Sequence, residues 1–356
     1  MPRPEPAPLP TEPAPMPQQS GALVLDIRDL RTYFFTDAGV VRAVDGVSLG
    51  VRQGETLAIV GESGSGKSVT GLTVMRLFGR TPARVVGGTV RFRDRDGRDL
   101  DLIALPESEM RDIRGRDIAM IFQDPMSSLN PVFTVGDQIA EPLRIHKGLS
   151  RREAVAQAVE LLRQVGISDP EARVSVYPHQ LSGGMRQRVM IAIALACDPL
   201  LLIADEPTTA LDVTIQAQIM TLLRTLQAER GMAMIFITHD LKLVEEIADR
   251  VVVMYASQVV EEGDVAEVLA RPRHPYTRAL LDCIPHCDHD RPRRGTGLKP
   301  IPGALPNPLA PPEGCRFHTR CGFVKPACVA VEPYPPLEPT DPGRRARCIR
   351  WREISL

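Results

Sequence analysis

The feature that most constrains the fold of this chain is the eight-residue run Gly61-Glu62-Ser63-Gly64-Ser65-Gly66-Lys67-Ser68. It matches the pattern G-x-x-x-x-G-K-[ST], follows an apolar segment at 56–60, and precedes a helix-like apolar run at 69–77. Glycines let backbone N–H groups curl around phosphate oxygens without Cβ clashes, and a helix start adds the positive end of its dipole. The strand–loop–helix context therefore predicts a loop that binds the phosphates of a nucleotide.

Two acids at the end of an apolar run predict the metal and water chemistry that such a loop needs. Lys67 is predicted to reach the β- and γ-phosphates, and Ser68 to ligate Mg²⁺. Residues 202–206 read as a buried strand that ends in Asp205 and Glu206. We predict that Asp205 holds Mg²⁺, directly or through water, and that Glu206 orients and polarises the attacking water.

A third segment, Ser182-Gly183-Gly184, stands before a helical run at 185–196. Two glycines at a helix start again suit a close approach to phosphate. Taken alone, however, this segment is better explained as an ordinary glycine-containing start of a helix.

The middle of the chain alternates strands and helices. Short continuous apolar runs suit strands buried on both faces of a mostly parallel sheet, which predicts an α/β layered core. These runs are 56–60, 118–122, 200–204, 234–237 and 251–254. Between 134 and 197 the pattern turns helical: Ser150 and Glu153 have the spacing of a capping box, and Gly166 ends the helical periodicity that follows. We predict a helical subdomain inserted into the core.

Proline marks the boundaries of the domains. Of 33 prolines, 8 fall in residues 1–20 and 14 in residues 285–356. We predict a disordered or extended tail at 1–21, a folded domain at 22–284, and a loop-rich extension at 285–356. The extension is poor in periodic apolar sequence, so it is predicted to need a covalent or metal cross-link to fold. Six of the 7 cysteines follow residue 280.

Charge and hydropathy exclude two other classes. The net charge of −1 argues against a dedicated nucleic-acid binder, so no nucleic-acid partner is expected. No apolar run approaches the roughly 20 residues that a membrane-spanning helix needs. We therefore expect a cytoplasmic protein whose membrane role, if it has one, comes through partners.

Together, the motifs resemble those of the ATP-binding-cassette (ABC) ATPases over about residues 22–284. The resemblance implies a P-loop NTPase fold: a RecA-like core with an antiparallel β part and an inserted helical subdomain, here followed by a small Cys-rich extension. Residues 61–68 correspond to the Walker A motif, 181–185 to the signature and Asp205-Glu206 to the end of Walker B. Met185 departs from the glutamine of many members, with no expected loss of activity.

The lesser motifs occur in family order. Gln123 resembles the Q-loop glutamine that senses Mg²⁺ and the transporter, and Ala210-Leu211-Asp212 resembles the D-loop. His239 resembles the switch histidine that contacts the γ-phosphate. The family also implies that an aromatic side chain near Phe34 stacks on adenine, with Tyr33 and Phe35 as neighbouring alternatives.

The family resemblance implies that ATP is held between two cassettes, with the Walker A loop of one facing the signature of the other. One chain carries one copy of each motif, so it is expected to pair. Hydrolysis-competent sites are expected because every motif is intact.

Other segments resemble the ATPases of peptide importers. These are Phe122 to Pro131, Pro178 to Arg188 and Arg273 to Leu281. The version Leu-Ser-Gly-Gly-Met resembles the D-type subunit of dipeptide and oligopeptide importers. That resemblance implies a different second ATPase subunit, with a homodimer as the alternative, and two permease subunits and an extracytoplasmic binding protein. It implies a peripheral position on the cytoplasmic face of the inner membrane. Nickel chelates, glutathione and antibiotic peptides are alternative cargoes.

Four cysteines of the extension resemble those in the C-terminal region of the same subunits. Their spacing lacks the close pairs that structural zinc sites favour, whereas four thiolates can hold a [4Fe–4S] cluster, to which the resemblance points. Zinc remains the alternative. These cysteines are Cys315, Cys321, Cys328 and Cys348. Two other functions stay open: a soluble cassette ATPase acting on ribosomes or DNA, and a redox or iron sensor that regulates the cassette.

Overall fold

The computed structural model describes residues 22–209, 211–284, 300–332 and 334–356. The predicted tail at 1–21 lies outside the described residues. The strands, in chain order, are β1 (Leu23–Thr36), β2 (Gly39–Arg52), β3 (Thr56–Val60), β4 (Ala83–Arg93), β5 (Asp99–Asp101), β6 (Ile118–Ile121), β7 (Leu201–Asp205), β8 (Ala233–Thr238), β9 (Arg250–Tyr255), β10 (Gln258–Asp264), β11 (Glu338–Pro339) and β12 (Arg345–Ala346). The α-helices are α1 (Lys67–Met75), α2 (Glu107–Ile113), α3 (Pro125–Ser128), α4 (Val135–Lys147), α5 (Arg151–Gln164), α6 (Pro170–Arg173), α7 (Gly183–Ala194), α8 (Val213–Arg230), α9 (Leu241–Ile247), α10 (Val265–Ala270), α11 (Pro275–Asp282) and α12 (Pro326–Ala330).

The larger sheet has the strand order β11-β12-β10-β9-β3-β8-β7-β6. The five strands from β9 to β6 run parallel, and they coincide with the five apolar runs of the sequence to within one or two residues at each end. Their residues are almost all buried because helices cover one face of the sheet, and α1 with a second, smaller sheet covers the other. Burial on both faces is why their sequences are continuously apolar rather than alternating. The predicted α/β core is confirmed.

A smaller antiparallel sheet, in the order β2-β1-β4-β5, packs over α1 and the larger sheet. Its inward side chains, among them Leu49 and Phe92, share one buried cluster with Ile59 of β3 and Val74 of α1. Thr32 of this sheet also hydrogen-bonds Thr73 of α1 at 3.0 Å. The antiparallel sheet is thereby fixed against the helix that follows the phosphate-binding loop.

The helices α4 to α7 form a separate layer beside β6 and β7. Helix α5 begins with the predicted capping box: Ser150 Oγ accepts from the Glu153 amide at 3.3 Å, and the Glu153 carboxylate accepts from the Ser150 amide at 2.9 Å. Gly166 adopts φ +73°, a left-handed conformation that ends the helix at little steric cost. The apolar face of α5 then packs against α4 and α7.

The extension, described from residue 300 onward, has little regular structure, and long side chains attach it to the cassette. The Arg344 guanidinium pairs with the Glu261 carboxylate at 3.0 Å, and both side chains are almost fully buried. Arg347 donates to the carbonyl of Val259 at 2.7 Å. Phe317 inserts into an apolar cluster formed by β9, β10 and α11. The extension is therefore fastened to the edge of the larger sheet.

Candidate nucleotide site

The phosphate-binding loop lies between β3 and α1, and two of its glycines have no room for a side chain. Gly61 has φ +157°, and a Cβ there would lie 2.1 Å from the carbonyl oxygen of Met254. Gly66 has φ +97°, and its Cβ would lie 2.2 Å from the carbonyl oxygen of Ala43. Any larger residue at either position would push the loop away from the strands that support it.

Polar groups line this loop. Lys67 is almost fully buried, and its Nζ donates to the carbonyl oxygens of Gly61 at 2.8 Å and Glu62 at 3.0 Å. Burial lowers the pKa of Lys67, while the nearby carboxylates oppose that shift. The buried Ser65 hydroxyl has no hydrogen-bond partner among the described residues. A buried donor of this kind, beside an ammonium group, fits an anionic ligand such as a phosphate.

Ser68 and Asp205 meet where a magnesium ion is expected. The Ser68 hydroxyl donates to the Asp205 carboxylate at 2.9 Å, across 137 positions of sequence. Burial raises the pKa of Asp205, and the neighbouring Glu206 raises it further. A hydroxyl oxygen and a carboxylate oxygen are ligands that Mg²⁺ prefers, so this pair fits the ion, which would add positive charge beside the phosphates.

Glu206 is the centre of a polar cluster. Its carboxylate accepts from the Gln123 amide at 3.0 Å and from the Thr209 hydroxyl at 2.9 Å, and His239 Nδ1 lies 3.4 Å from it. The backbone of Glu206 has φ +46°, which is uncommon for a residue with a side chain and often marks a functional position. Sequence reasoning missed Thr209, although it follows Glu206 by only three residues.

Sheet topology explains why these residues meet. The phosphate-binding loop follows β3, and His239 follows β8. Asp205 ends β7 with Glu206 directly after it, and Gln123 follows β6. These four strands are parallel neighbours, so their carboxyl ends lie along one edge of the sheet. Ligands of open α/β sheets bind at that edge.

The signature segment is placed elsewhere, at the start of α7. Ser182 Oγ caps the helix by accepting from the Met185 amide at 3.3 Å. A Cβ on Gly184 would lie 2.9 Å from the side chain of Ile215 at the start of α8, so this glycine permits close helix packing. Within the described ranges, no hydrogen bond joins 182–184 to the phosphate-binding loop.

The three aromatic candidates for adenine stacking differ in their contacts. The Tyr33 hydroxyl donates to Asp45 at 2.8 Å, and Phe35 lies under the guanidinium of Arg84 at 5.7 Å. Phe34 is half-buried in β1. Of the D-loop residues, Asp212 caps α8 by accepting from the Ile215 amide at 2.9 Å, whereas Ala210 lies outside the described residues.

The four cysteines of the extension line one small cavity of about 20 Å³. The backbone N–H of Phe323 donates to the sulfur of Cys321 at 3.4 Å. Burial raises the pKa of Cys315 to about 11 and that of Cys348 to about 12. Within the described part of the chain, no group of three or more His, Cys, Asp or Glu side chains is arranged to hold a single metal ion.

Comparison with known proteins agrees with this geometry. Residues 44–209 match the family described as ABC transporter, and residues 260–328 match the family described as oligopeptide/dipeptide transporter, C-terminal region. A relative from Brucella melitensis, named a peptide import ATP-binding protein, is 55% identical over 93% of this chain and 98% of its own length. One from Sinorhizobium fredii, named a peptide ABC transporter ATP-binding protein, is 53% identical over 93% and 96%.

Solved structures give the same fold. A dimeric ATP-binding cassette bound to ADP and phosphate in a post-hydrolysis state superposes with a TM-score of 0.59 at 28% identity, over 68% of this chain and 98% of its own. A component of an ABC transporter complex from Clostridium perfringens gives 0.57 at 28% identity, over 70% and 91%.

We call Ser68, Gln123, Asp205, Glu206 and His239, which meet where the parallel strands end, the strand-end cluster. The fold and this cluster define a P-loop ATPase of the cassette type. The chain belongs to the ATP-binding subunits of the ABC transporter family, in the branch that carries the oligopeptide/dipeptide transporter C-terminal region. Within the described residues, none of the helices is long and apolar enough to cross a membrane.

Proposed function

We propose that this chain hydrolyses ATP to drive an importer of dipeptides or oligopeptides. The observation that carries the proposal is the contact of Ser68 with Asp205, beside a Glu206 that Gln123 and His239 also approach. The peptide cargo is supported by the names of the relatives and by the match at 260–328.

In the proposed mechanism, the loop amides, Lys67 and the Ser65 hydroxyl bind the phosphates. Ser68 and Asp205 would hold Mg²⁺, which would supply positive charge beside the phosphate oxygens while the γ-phosphoryl group passes to water and ADP leaves. Glu206 accepts a hydrogen bond from the attacking water and orients it in line with the γ-phosphate. Catalysis of this kind depends on positioning and charge neutralisation more than on covalent chemistry.

The remaining residues of the proposed site act around this centre. Gln123 and His239 fix the Glu206 carboxylate, and His239 also contacts the γ-phosphate. Gln123 is further proposed as a ligand of Mg²⁺, and Phe34 as the ring that stacks on adenine. Glu62, Ser63 and Gly64 supply backbone to the loop that encloses the phosphates.

The site requires a second cassette. Ser182, Gly183 and Gly184 stand at the start of α7, away from the phosphate-binding loop of their own chain. We propose that they bind the γ-phosphate held by a partner, as the dimeric form of the similar ATP-binding cassette suggests. A different second ATPase subunit is the proposed partner. Two permease subunits and an extracytoplasmic binding protein complete the importer, with this chain on the cytoplasmic face of the membrane.

The test is Glu206→Gln in the full-length chain, assembled with its partner subunits. ATP binding should persist, while ATPase activity should fall about 100- to 10,000-fold because the water loses its base. ATP should then hold the two cassettes together in a stable dimer. Undiminished ATPase activity would remove Glu206 from its role, and a strictly monomeric ATP-bound variant would refute the shared site.

Cargo is tested separately by uptake. Cells that lack the chain should fail to accumulate a labelled dipeptide or a labelled tetrapeptide, and expression of the wild-type chain should restore uptake. The Glu206→Gln chain should not restore it. Restored uptake of a nickel chelate or of glutathione, without uptake of either peptide, would reassign the cargo and leave the ATPase intact.

We also propose that the four cysteines of the extension hold a [4Fe–4S] cluster. The support is that they line one cavity, that the Cys321 sulfur accepts a backbone N–H, and that the segment has little core of its own. That amide favours a thiolate at Cys321, and cluster binding must displace the protons that burial retains on Cys315 and Cys348.

Purification without oxygen distinguishes an iron–sulfur cluster from the alternative, zinc. The expected product is brown, absorbs broadly near 400 nm and contains about four iron atoms per chain. Replacing Cys321 by serine should remove the colour. Colourless protein with stoichiometric zinc would reverse the assignment. Protein that contains neither metal would refute both.

A further inference from the structure

Glu62, the second residue of the phosphate-binding loop, is held by a side chain from the extension. Its carboxylate receives two hydrogen bonds from the Arg320 guanidinium, from Nη1 at 2.7 Å and from Nη2 at 3.1 Å. The Arg320 side chain is 4% exposed and that of Glu62 is 27% exposed. Paired, charge-assisted bonds of this kind fix both direction and distance.

Arg320 is itself fixed on two other sides. Its Nε donates to the carbonyl of Pro302 at 2.9 Å, and its guanidinium lies 5.8 Å from the ring centre of Tyr255. The residue ends a short 3-10 turn, immediately before Cys321. An arginine side chain held in this way loses little further conformational entropy when it binds a carboxylate, so it can fix the position of Glu62.

The backbone of Glu62 is anchored as well. Its N–H donates to the Tyr276 hydroxyl at 2.9 Å, across 214 positions of sequence. Tyr276 is fully buried against the rings of Tyr255 and Phe317, at 4.6 Å and 5.4 Å between ring centres. The side chain and the backbone of one loop residue are thus both held by residues C-terminal to β9.

This contact bears on phosphate binding in two ways. First, Lys67 Nζ donates to the carbonyl of Glu62, so a displaced Glu62 carries the lysine with it. Second, Glu62 places a negative charge beside a loop built for a polyanion, and Arg320 neutralises that charge. A carboxylate without its cation would repel the phosphates across a site of low dielectric.

We propose that Arg320 is a positioning residue for ATP binding, which neutralises Glu62 and fixes it so that the C-terminal extension sets the affinity of the cassette for ATP. Arg320 does not touch the nucleotide in this scheme. It acts through Glu62, and it makes the integrity of the extension a condition for tight ATP binding.

The test compares ATP affinity among variants of the full-length chain, measured by calorimetric titration with the wild type as reference. Arg320→Gln leaves Glu62 unpaired and should weaken ATP binding about tenfold, within the usual range of coupling between sites. Glu62→Gln should change affinity less than about threefold. The double variant should recover most of the loss, because the repelling charge is gone; a lost structural contact alone would not be rescued this way.

A matched control separates positioning from general stability. Arg345 also joins the extension to the sheet, through an ion pair with Glu262 at 2.6 Å, away from the phosphate-binding loop. Arg345→Gln should lower the melting temperature and leave ATP affinity unchanged. If Arg320→Gln does not fold, Arg320→Lys replaces it in the test. Lysine keeps the positive charge but cannot make the paired hydrogen bonds of a guanidinium, so ATP affinity should fall about threefold. Wild-type affinity in every soluble Arg320 variant, or equal weakening by Arg345→Gln, would overturn the proposal.

Discussion

The residues of the strand-end cluster and those of the C-terminal extension are held in place by different kinds of interaction. Gln123, Glu206 and His239 converge because neighbouring parallel strands end together, so the backbone of the sheet places them. In its described residues, 300–332 and 334–356, the extension has two strands of only two residues each, and arginine side chains bonded to carboxylates and carbonyls hold it. One region is positioned by secondary structure and the other by long-range side-chain bonds. Substitutions in the first should therefore stop chemistry, and substitutions in the second, apart from Arg320, should mainly lower the stability of the fold.

The largest effect is expected from Asp205→Asn in the strand-end cluster. Loss of a charged Mg²⁺ ligand should lower ATPase activity about a hundredfold or more and raise the Mg²⁺ concentration needed for activity. Steady-state ATPase assays over a Mg²⁺ titration check this. Asp96→Asn, at an exposed turn where the carboxylate pairs with Arg98 at 3.1 Å, is the control and should leave activity unchanged. An unaltered Mg²⁺ requirement in Asp205→Asn would contradict the metal assignment.

A large effect on stability is expected in the extension. Arg344→Met leaves the buried Glu261 carboxylate without its cation and should cost about 3–5 kcal/mol in the free energy of unfolding. Arg163→Met breaks exposed pairs with Glu160 and Glu171 and should cost less than about 1 kcal/mol. Urea titration followed by fluorescence of Trp351, the single tryptophan of the chain, reports on the extension. An equal loss of unfolding free energy in the two variants would contradict the proposal that buried ion pairs hold the extension.

Acid should loosen the extension before the sheet. The hydrogen-bonded Arg273 guanidinium holds the pKa of Asp341 below its ordinary value of 3.8. The ion pair therefore stabilises the fold above that value, and its contribution is lost as the pH falls through the lowered pKa. Arg273 also lies over the ring of Trp351 at 5.4 Å. Trp351 fluorescence should change at a higher pH than the far-ultraviolet circular dichroism does, and Asp341→Asn should flatten the pH dependence of the fluorescence; coincident transitions would contradict this order.

The smallest effect is expected from Ser150→Ala at the start of α5. Removing the side-chain cap should cost about 1 kcal/mol, because the amide of Glu153 loses its acceptor. Thermal unfolding measured by circular dichroism should show the loss, while Trp351 fluorescence at low denaturant stays unchanged. A concurrent change in Trp351 fluorescence would mean that the helical layer and the extension are coupled.

The sequence was most informative where structure is local. The five parallel strands and the capping box of α5 follow from short apolar runs and from a three-residue spacing, and the structure has them within one or two residues. Adjacency of Gln123, Glu206 and His239 could be anticipated from motif order, although their catalytic roles stay predictions. Contacts such as Arg320 with Glu62 join residues 258 positions apart and leave no periodic signal. The domain boundaries also stay predictions.

The pairing of β12 with β10 has a consequence for solubility. The two residues of β12, 345–346, pair antiparallel with β10 at the edge of the larger sheet, and the two residues of β11 then form its outermost strand. An exposed row of backbone N–H and carbonyl groups invites a second polypeptide to pair with it. A chain that ended before residue 338 would remove the strand that pairs with Glu261 and Glu262 in the middle of β10, and so would uncover backbone groups there. Shortened forms should therefore self-associate through this border, so the final segment keeps neighbouring copies apart.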